Sequence, residues 1–267
     1  MMTKFCVSID VEEWYMAENI RKFVSKENEL EHTSFKQLKK LLTLLDEFGI
    51  KCTLFVVGTL LNNDQYVKLL RKAILNGHEV GSHTFSHKLL NDLDYKTTYD
   101  EILKNDQAIL AKLGVKPVGF RSPCFSTNIY LDTVLHELGY KYTSNSITAS
   151  IHDRYGRVFK QKHNNKIPDL ALPTFKIMRL NFPATGGGWF RLFPFWLQRF
   201  VTRKMDTIMF YCHPWDFDPY QPRLTNVSKF VWYRHTVNNT TSFDKFKKFL
   251  RKDYKFVRGI DLIDGVS

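Results

Sequence analysis

Two histidines four residues apart, His83 and His87 in GSHTFSH, are the first candidates for chemistry. On one helical turn or in a tight loop, such a pair can present two imidazoles to one cation. Asp10 and Glu12 in DVEEW add two carboxylates. In an extended chain residues i and i+2 share a face, so both can enter one pocket while Val11 turns into the core. One carboxylate completes a facial metal site with positions open to water. The other can act as the base that deprotonates that water. Glu13 reads as an ordinary acidic strand end. Arg121 in FRSPCF can hold the base carboxylate through a bidentate pair, fixing its orientation and keeping it ionised. His213 in FYCHPWDFDP follows a strongly apolar run. It can protonate a leaving amine, with Asp216 or Asp218 to orient it. Each piece also has a plainer reading: capping histidines, an acidic strand end, a surface ion pair of little worth, or a structural histidine packed on Trp215.

Other motifs carry less. Gly186-Gly187-Gly188 lacks the Lys-Ser/Thr of a phosphate loop, and reads as a turn or a close backbone approach. No GxSxG elbow occurs. Cys124 in SPCF reads as structural, because no activating partner stands near it in the sequence.

Positioning these groups requires a regular scaffold, and the hydrophobic pattern supplies one. Residues 4–10 form a β-rich run ending in an acid. Residues 34–48 are amphipathic at helical spacing, with Thr33 or Ser34 as cap and Gly49 as stop. A buried strand follows at 51–57, a helix at 62–75, a short strand at 78–81 and a helix at 95–113 closed by Gly114. Next come a strand at 118–120, a helix at 128–138 and a strand at 141–143. Strand and helix alternating in this way mark a parallel α/β architecture, and this many units suggest a closed or nearly closed barrel. In such barrels the chemistry sits on loops at the C-terminal ends of the strands, where Asp10, His83, His87, Arg121 and His213 all fall. Beyond residue 150 the regularity fades. Residues 150–169 read as a polar excursion and 183–200 as Gly-rich, then aromatic and basic. A strand at 205–212, a basic helix at 241–252 and a strand at 254–258 complete the chain. The organisation expected is one catalytic domain over 1–267, with about 150–205 and 216–267 as elaborations.

The 267 residues are 43% hydrophobic and 25% charged, which supports a packed core and argues against general disorder. The net charge of +12 favours an anionic partner. Nucleic acid is not expected, because no zinc-finger spacing, RNP-type motif or basic region before heptads is present. The four cysteines, Cys6, Cys52, Cys124 and Cys212, form no CxxC and suit free thiols in a reducing compartment. The N-terminus enters a strand at once and has no apolar signal region, and no apolar stretch is long enough to span a bilayer. A cytoplasmic location is expected. Residues 189–204 mix aromatic and basic residues and read first as a loop packed over the barrel mouth, with contact at the inner membrane face as the alternative.

Taken together and in this order, the acidic strand end, HTFSH, RSP and the histidine after a late apolar strand resemble the polysaccharide deacetylase family, carbohydrate esterase family four. DVEEWY, GGGWFR, HPWDFD and the YRH at 233–235 resemble a subgroup tied to surface-glycan assembly that carries a characteristic C-terminal extension. The resemblance implies a distorted (β/α)7-type barrel with parallel strands and an irregular C-terminal elaboration. It also implies a divalent metal, commonly Zn2+, with Co2+, Mn2+ or Ni2+ as alternatives. By the same resemblance Asp10 is the general base, His83 and His87 are metal ligands, Arg121 positions Asp10, and His213 is the general acid. The family's metal carboxylate is the second of two adjacent aspartates. Here Asp-Val-Glu stands instead, so Glu12 is assigned through the shared strand face. The family's Asp-Trp motif is missing around 140–150, so support for His213 is expected from Asp216, with Asp218 as the alternative. Substrate contacts are expected from Pro123, Trp189, Arg191 and Trp215. The implied reaction is N-deacetylation of a sugar, on a nucleotide-sugar or a lipid-linked glycan. The competing readings are another amide or imide hydrolase on the same fold, and an inactive glycan-binding protein.

Overall fold

Strand β1 (Lys4–Val11) sets the plan of the molecule. Its odd residues, Phe5, Val7, Ile9 and Val11, join the large apolar cluster formed with the surrounding helices. Cys6 joins a different cluster, with Phe55, Tyr142, Met209 and Tyr211. The period of two separates these faces, so Asp10 falls on the Cys6 side, in the interior of the curled sheet. The computed structural model describes residues 2–24, 32–147, 149, 166–251 and 254–263. Most of the expected 150–169 excursion lies outside the described residues.

The remaining strands run parallel to β1: β2 (Thr53–Val56), β3 (Glu79–Ser82), β4 (Gly119–Phe120), β5 (Tyr142–Thr143) and β8 (Thr207–Cys212), in the order β5-β4-β3-β2-β1-β8. A seventh strand, β9 (Lys255–Val257), pairs with the first residues of β1, whereas β2 pairs with the last. The segment 216–267, read from sequence as an elaboration, therefore contributes a strand to the main sheet. Among the described residues β5 and β8 do not pair, so the sheet is a curled half-barrel. A two-stranded hairpin of β6 (Thr174–Ile177) and β7 (Leu180–Pro183) stands apart from it.

Ten α-helices lie among the described residues. Those that bear on the site are α1 (Glu18–Arg21), α2 (Thr33–Glu47), α3 (Asp64–Leu75), α4 (Tyr95–Leu113), α5 (Leu131–Leu138), α6 (Gly187–Leu192), α7 (Phe195–Thr202), α8 (Lys229–Thr236), α9 (Asn239–Leu250) and α10 (Gly259–Ile263). Local chemistry explains several boundaries. Asp94 caps α4 by accepting from Thr97 N at 2.7 Å, and Gly114 ends it in the left-handed region. The α5 helix starts later than expected because Asn128 spends its side chain on Tyr130 N and on the carbonyls of Leu90 and Leu93. The start of α2 departs from expectation: neither Thr33 nor Ser34 caps it, and the Glu13 carboxylate accepts from Ser34 N at 3.2 Å. Glu13 is thus a tertiary cap, held also by Tyr66 Oη at 2.5 Å. No helix among the described residues is long and apolar enough to cross a membrane.

Candidate active site

Strand register brings the candidate residues level. Val11 pairs with Val56, Val56 with Ser82, and Ser82 with Phe120, so the next residues in each chain, Glu12, His83 and Arg121, leave the sheet side by side. Ile9 pairs with Cys212, which sets Asp10 beside His213. All five side chains are buried.

Glu12, His83 and His87 each offer one ligand atom, and these atoms lie within 4.8 Å of one another. Glu12 Oε2 is 2.5 Å from His87 Nε2 and 3.6 Å from His83 Nε2. His83 Nδ1 donates to the Arg121 carbonyl at 2.7 Å, which leaves Nε2 as the lone-pair nitrogen facing Glu12. The pair sits in a loop, not on a helix. Thr84 (φ 62) and His87 (φ 56) take left-handed backbone, unusual for a β-branched residue and for histidine, to turn the second imidazole back toward the first. Arg21 of α1 holds this loop by donating to the His87 carbonyl at 2.8 Å. Neither ring nitrogen of His87 makes a hydrogen bond of good geometry. Burial pushes its imidazole below the usual range, with Glu12 opposing. Burial also pushes the Glu12 carboxyl up, but His87, His213 and His83 outweigh it and hold Glu12 well below the usual carboxylate range. An ionised carboxylate facing two imidazole nitrogens in a buried pocket is a donor set that fits a divalent cation.

Asp10 and His213 lie on the other side of Glu12. Arg121 Nη1 donates to Asp10 Oδ1 at 2.7 Å, while its Nε and Nη2 donate to the Ser144 carbonyl and hydroxyl. The expected bidentate clamp is therefore a single bond, because the other arms of the fork are spent on Ser144 after β5. That arrangement pins Oδ1 and leaves Oδ2 facing His213 Nε2 at 3.6 Å. His213 Nδ1 donates to Asp216 Oδ2 at 2.8 Å, so Asp216 rather than Asp218 orients it.

Two expected substrate contacts have other places. Arg191 is buried: its Nε lies 3.0 Å from Asp216 Oδ1, and its Nη1 donates to the Val237 carbonyl and Asn239 Oδ1. A guanidinium so engaged supports Asp216 from behind. Trp215 is also buried, stacked between His213 (4.6 Å) and His235 (4.7 Å), and its Nε1 donates to Glu12 Oε1 at 3.0 Å. Trp189 is half-buried against Phe182 and Phe193, and Pro123 opens the short turn that follows Arg121. The glycine run serves packing: a Cβ on Gly186 (φ +85) would lie 2.1 Å from Tyr211 Cδ1. Sequence reasoning missed Arg21, Ser144, His235 and the supporting roles of Arg191 and Trp215. Their only signal was position near a strand end or within an aromatic motif. A polar cavity of about 440 Å³, lined in part by Tyr15, Arg21, His32, Thr59, Asn63 and Ser86, opens beside the His87 loop.

Comparison with known proteins divides this site. Residues 35–143 match the model of the polysaccharide deacetylase family, and 145–263 match a domain of unknown function, DUF3473. The chain is 34% identical to a chitin deacetylase of a Pestalotiopsis species over 107 residues, 40% of this chain and 36% of that protein. It is 30% identical to a chitooligosaccharide deacetylase of Rhizobium leguminosarum bv. phaseoli over 114 residues, 42% of this chain and 46% of that protein. The chain thus spans less than half the length of these relatives. Among solved structures, a Mycobacterium smegmatis protein assigned as a polysaccharide deacetylase superposes with a TM-score of 0.62 at 17% identity, covering 98% of this chain and 90% of that one. A CE4 family pseudoenzyme from Bacillus anthracis superposes with a TM-score of 0.55 at 15% identity, covering 98% and 66%. These superpositions establish the half-barrel fold. The second is a reminder that the fold by itself does not carry activity.

Proposed function

We propose, from the match of residues 35–143 to the polysaccharide deacetylase family model, that the chain is a metal-dependent hydrolase that removes N-acetyl groups from a glycan. The observation that carries this reading is the alignment of two functional pairs around Glu12: the imidazoles of His83 and His87 on one side, Asp10 and His213 on the other. The first pair with Glu12 would hold a divalent metal, for which Zn2+ suits the nitrogen-rich donor set. When bound, the metal supplies Lewis-acid chemistry, polarising the acetamide carbonyl and making water a better nucleophile. Asp10 Oδ2 takes the water proton, with Arg121 fixing the other oxygen. His213, carrying a proton on each nitrogen, donates the Nε2 proton to the departing nitrogen as the C–N bond breaks. Asp216 keeps the Nδ1 proton in place throughout. Acetate and a free amine are the products. Retention of both proton-transfer groups, each with its orienting partner, favours an enzyme over a glycan-binding relative.

The same reading makes the chain one catalytic unit. The base comes from β1 and the metal carboxylate from the residue just past it, the histidine ligands and Arg121 from 35–143, and the acid with its support from 145–263. Asp216, Arg191 and Trp215 are positioning residues. The net charge of +12 suits a phosphate-bearing carrier, either a nucleotide-sugar or a lipid-linked glycan, in surface-polysaccharide assembly at the cytoplasmic membrane face.

The test is metal content together with acetate release from N-acetylated chitooligosaccharide. Wild type holding one equivalent, His83→Ala holding none, and acetate release only from the former support the proposal. A wild type that takes up no zinc, cobalt, manganese or nickel overturns it.

A further inference from the structure

The hairpin β6–β7 and helix α7 expose large apolar side chains where solvent contact has no local reason. Ile177 pairs with Leu180, so Met178 and Arg179 form a two-residue turn. Met178 has φ 54, a backbone that turn chemistry ordinarily gives to Gly, Asn or Asp. It is 90% exposed. An unbranched apolar side chain is therefore held outward at a position that disfavours it, between two further exposed residues, Ile177 and Leu180. The base of the hairpin is rigidly seated, with Phe175 and Phe182 packed on Phe193. Just past Phe193, α7 presents Trp196 and Phe200 on one face at i, i+4 spacing, 68% and 58% exposed. Phe193, on which the hairpin base packs, stands two residues before the first residue of α7.

The charge on this segment is mainly positive. Residues 170–205 contain no Asp or Glu and six Lys or Arg, with Asp169 and the exposed Asp206 just outside the segment. Lys176 and Arg179 flank the hairpin tip, and Arg203 and Lys204 follow the helix face, all exposed. Lys204 Nζ lies 4.7 Å from the Phe200 ring centroid, so its charge sits at the border of the apolar face. An apolar face bordered mainly by cations is matched by a surface that is apolar inside and anionic at its edge. We propose that the β6–β7 tip and the Trp196/Phe200 face of α7 form a docking surface for an anionic lipid bilayer. Ile177, Met178, Trp196 and Phe200 enter the acyl boundary, and the four cations meet the head groups. This surface is separate from the residues assigned to metal binding and proton transfer, and the inference does not depend on them.

The full chain is tested by co-sedimentation with vesicles of phosphatidylcholine alone and of phosphatidylcholine with phosphatidylglycerol. Binding is expected to the anionic vesicles, weakening as salt is raised. The Met178→Asp/Trp196→Asp double variant loses at least about tenfold in partitioning, with unchanged thermal melting and metal content. Arg179→Glu/Lys204→Glu removes most of the preference for phosphatidylglycerol. A blue shift of tryptophan emission on vesicles is present in wild type and lost in Trp196→Phe. Equal partitioning of wild type and the Asp double variant overturns the proposal, as does a failure of wild type to bind anionic vesicles. If the double variant instead loses chitooligosaccharide binding, or converts a dimer to a monomer with vesicle binding unchanged, the face belongs to a glycan or to a second copy, and the proposal also falls.

Discussion

Glu12, just past the C-terminal end of β1, and Glu79, at the start of β3, are both buried carboxylates, at opposite ends of the same parallel sheet. Burial raises Glu79, and its hydrogen bonds only partly offset the rise. Those bonds come from Tyr142 Oη (2.8 Å), Thr53 Oγ1 (2.8 Å) and Ile260 N (3.1 Å), which leave no approach for a ligand. Glu12 suffers the same burial, yet it is held low, because imidazoles rather than hydroxyls surround it. One end of the sheet is closed by neutral donors and by α10. The other is lined by the carboxylates and imidazoles proposed to exchange protons or hold a metal. Burial depth alone therefore does not separate a functional carboxylate from a structural one; the chemistry of its partners does.

The sharpest break of this contrast is Asp10→Asn. It removes the proton acceptor while keeping shape, and should lower acetate release by about 10²–10⁴-fold without loss of bound metal. A modest change in rate would mean that proton removal lies elsewhere. Glu12→Gln should lose metal, read by equilibrium dialysis with cobalt, whereas Glu79→Gln should retain it. Equal retention would erase the distinction between the two ends.

Smaller effects come from the supporting shell. Trp215→Phe deletes the N–H on Glu12 Oε1 but keeps the stacking, and should weaken metal binding about tenfold. Arg191→Met removes the guanidinium beside Asp216 Oδ1 and should lower the turnover number about tenfold at unchanged metal content, with the pH profile displaced. The smallest effect concerns Glu79. Its folded pKa is raised, so its contribution to stability is complete below the ordinary value of 4.5 and is lost as pH rises through the folded value. Glu79→Gln should flatten the fall of melting temperature with pH above about 4.5, and an unchanged slope would show that folding leaves the Glu79 carboxyl at its ordinary value.

The split between two family models, at 143 and 145, would suggest two separate units. The arrangement of the site argues for one. Asp10 lies beside His213 because β1 and β8 are paired strands 203 residues apart in sequence. Lys245 of α9 donates to the Phe190 and Phe193 carbonyls at the end of α6, the helix that carries Arg191. Its burial lowers its pKa to about 8.

What the sequence by itself determined is whatever depends on local period and local caps. The alternation along β1 put Asp10 on the inner face, with Glu12 two residues on. The helical stripe and the Asp94 and Gly114 signals bounded α4, and the spacing of His83 and His87 made a shared cation conceivable. What only the tertiary structure decided is every partner at long range. It selected Asp216 over Asp218, reduced the Arg121 clamp to one bond by spending the guanidinium on Ser144, and turned Arg191 and Trp215 inward. It also capped α2 with Glu13, twenty-one residues before Ser34. The physical reason is that hydrogen-bond partners of a buried side chain are chosen by strand register and helix packing. Neither leaves a periodic trace in the residues that they bring together.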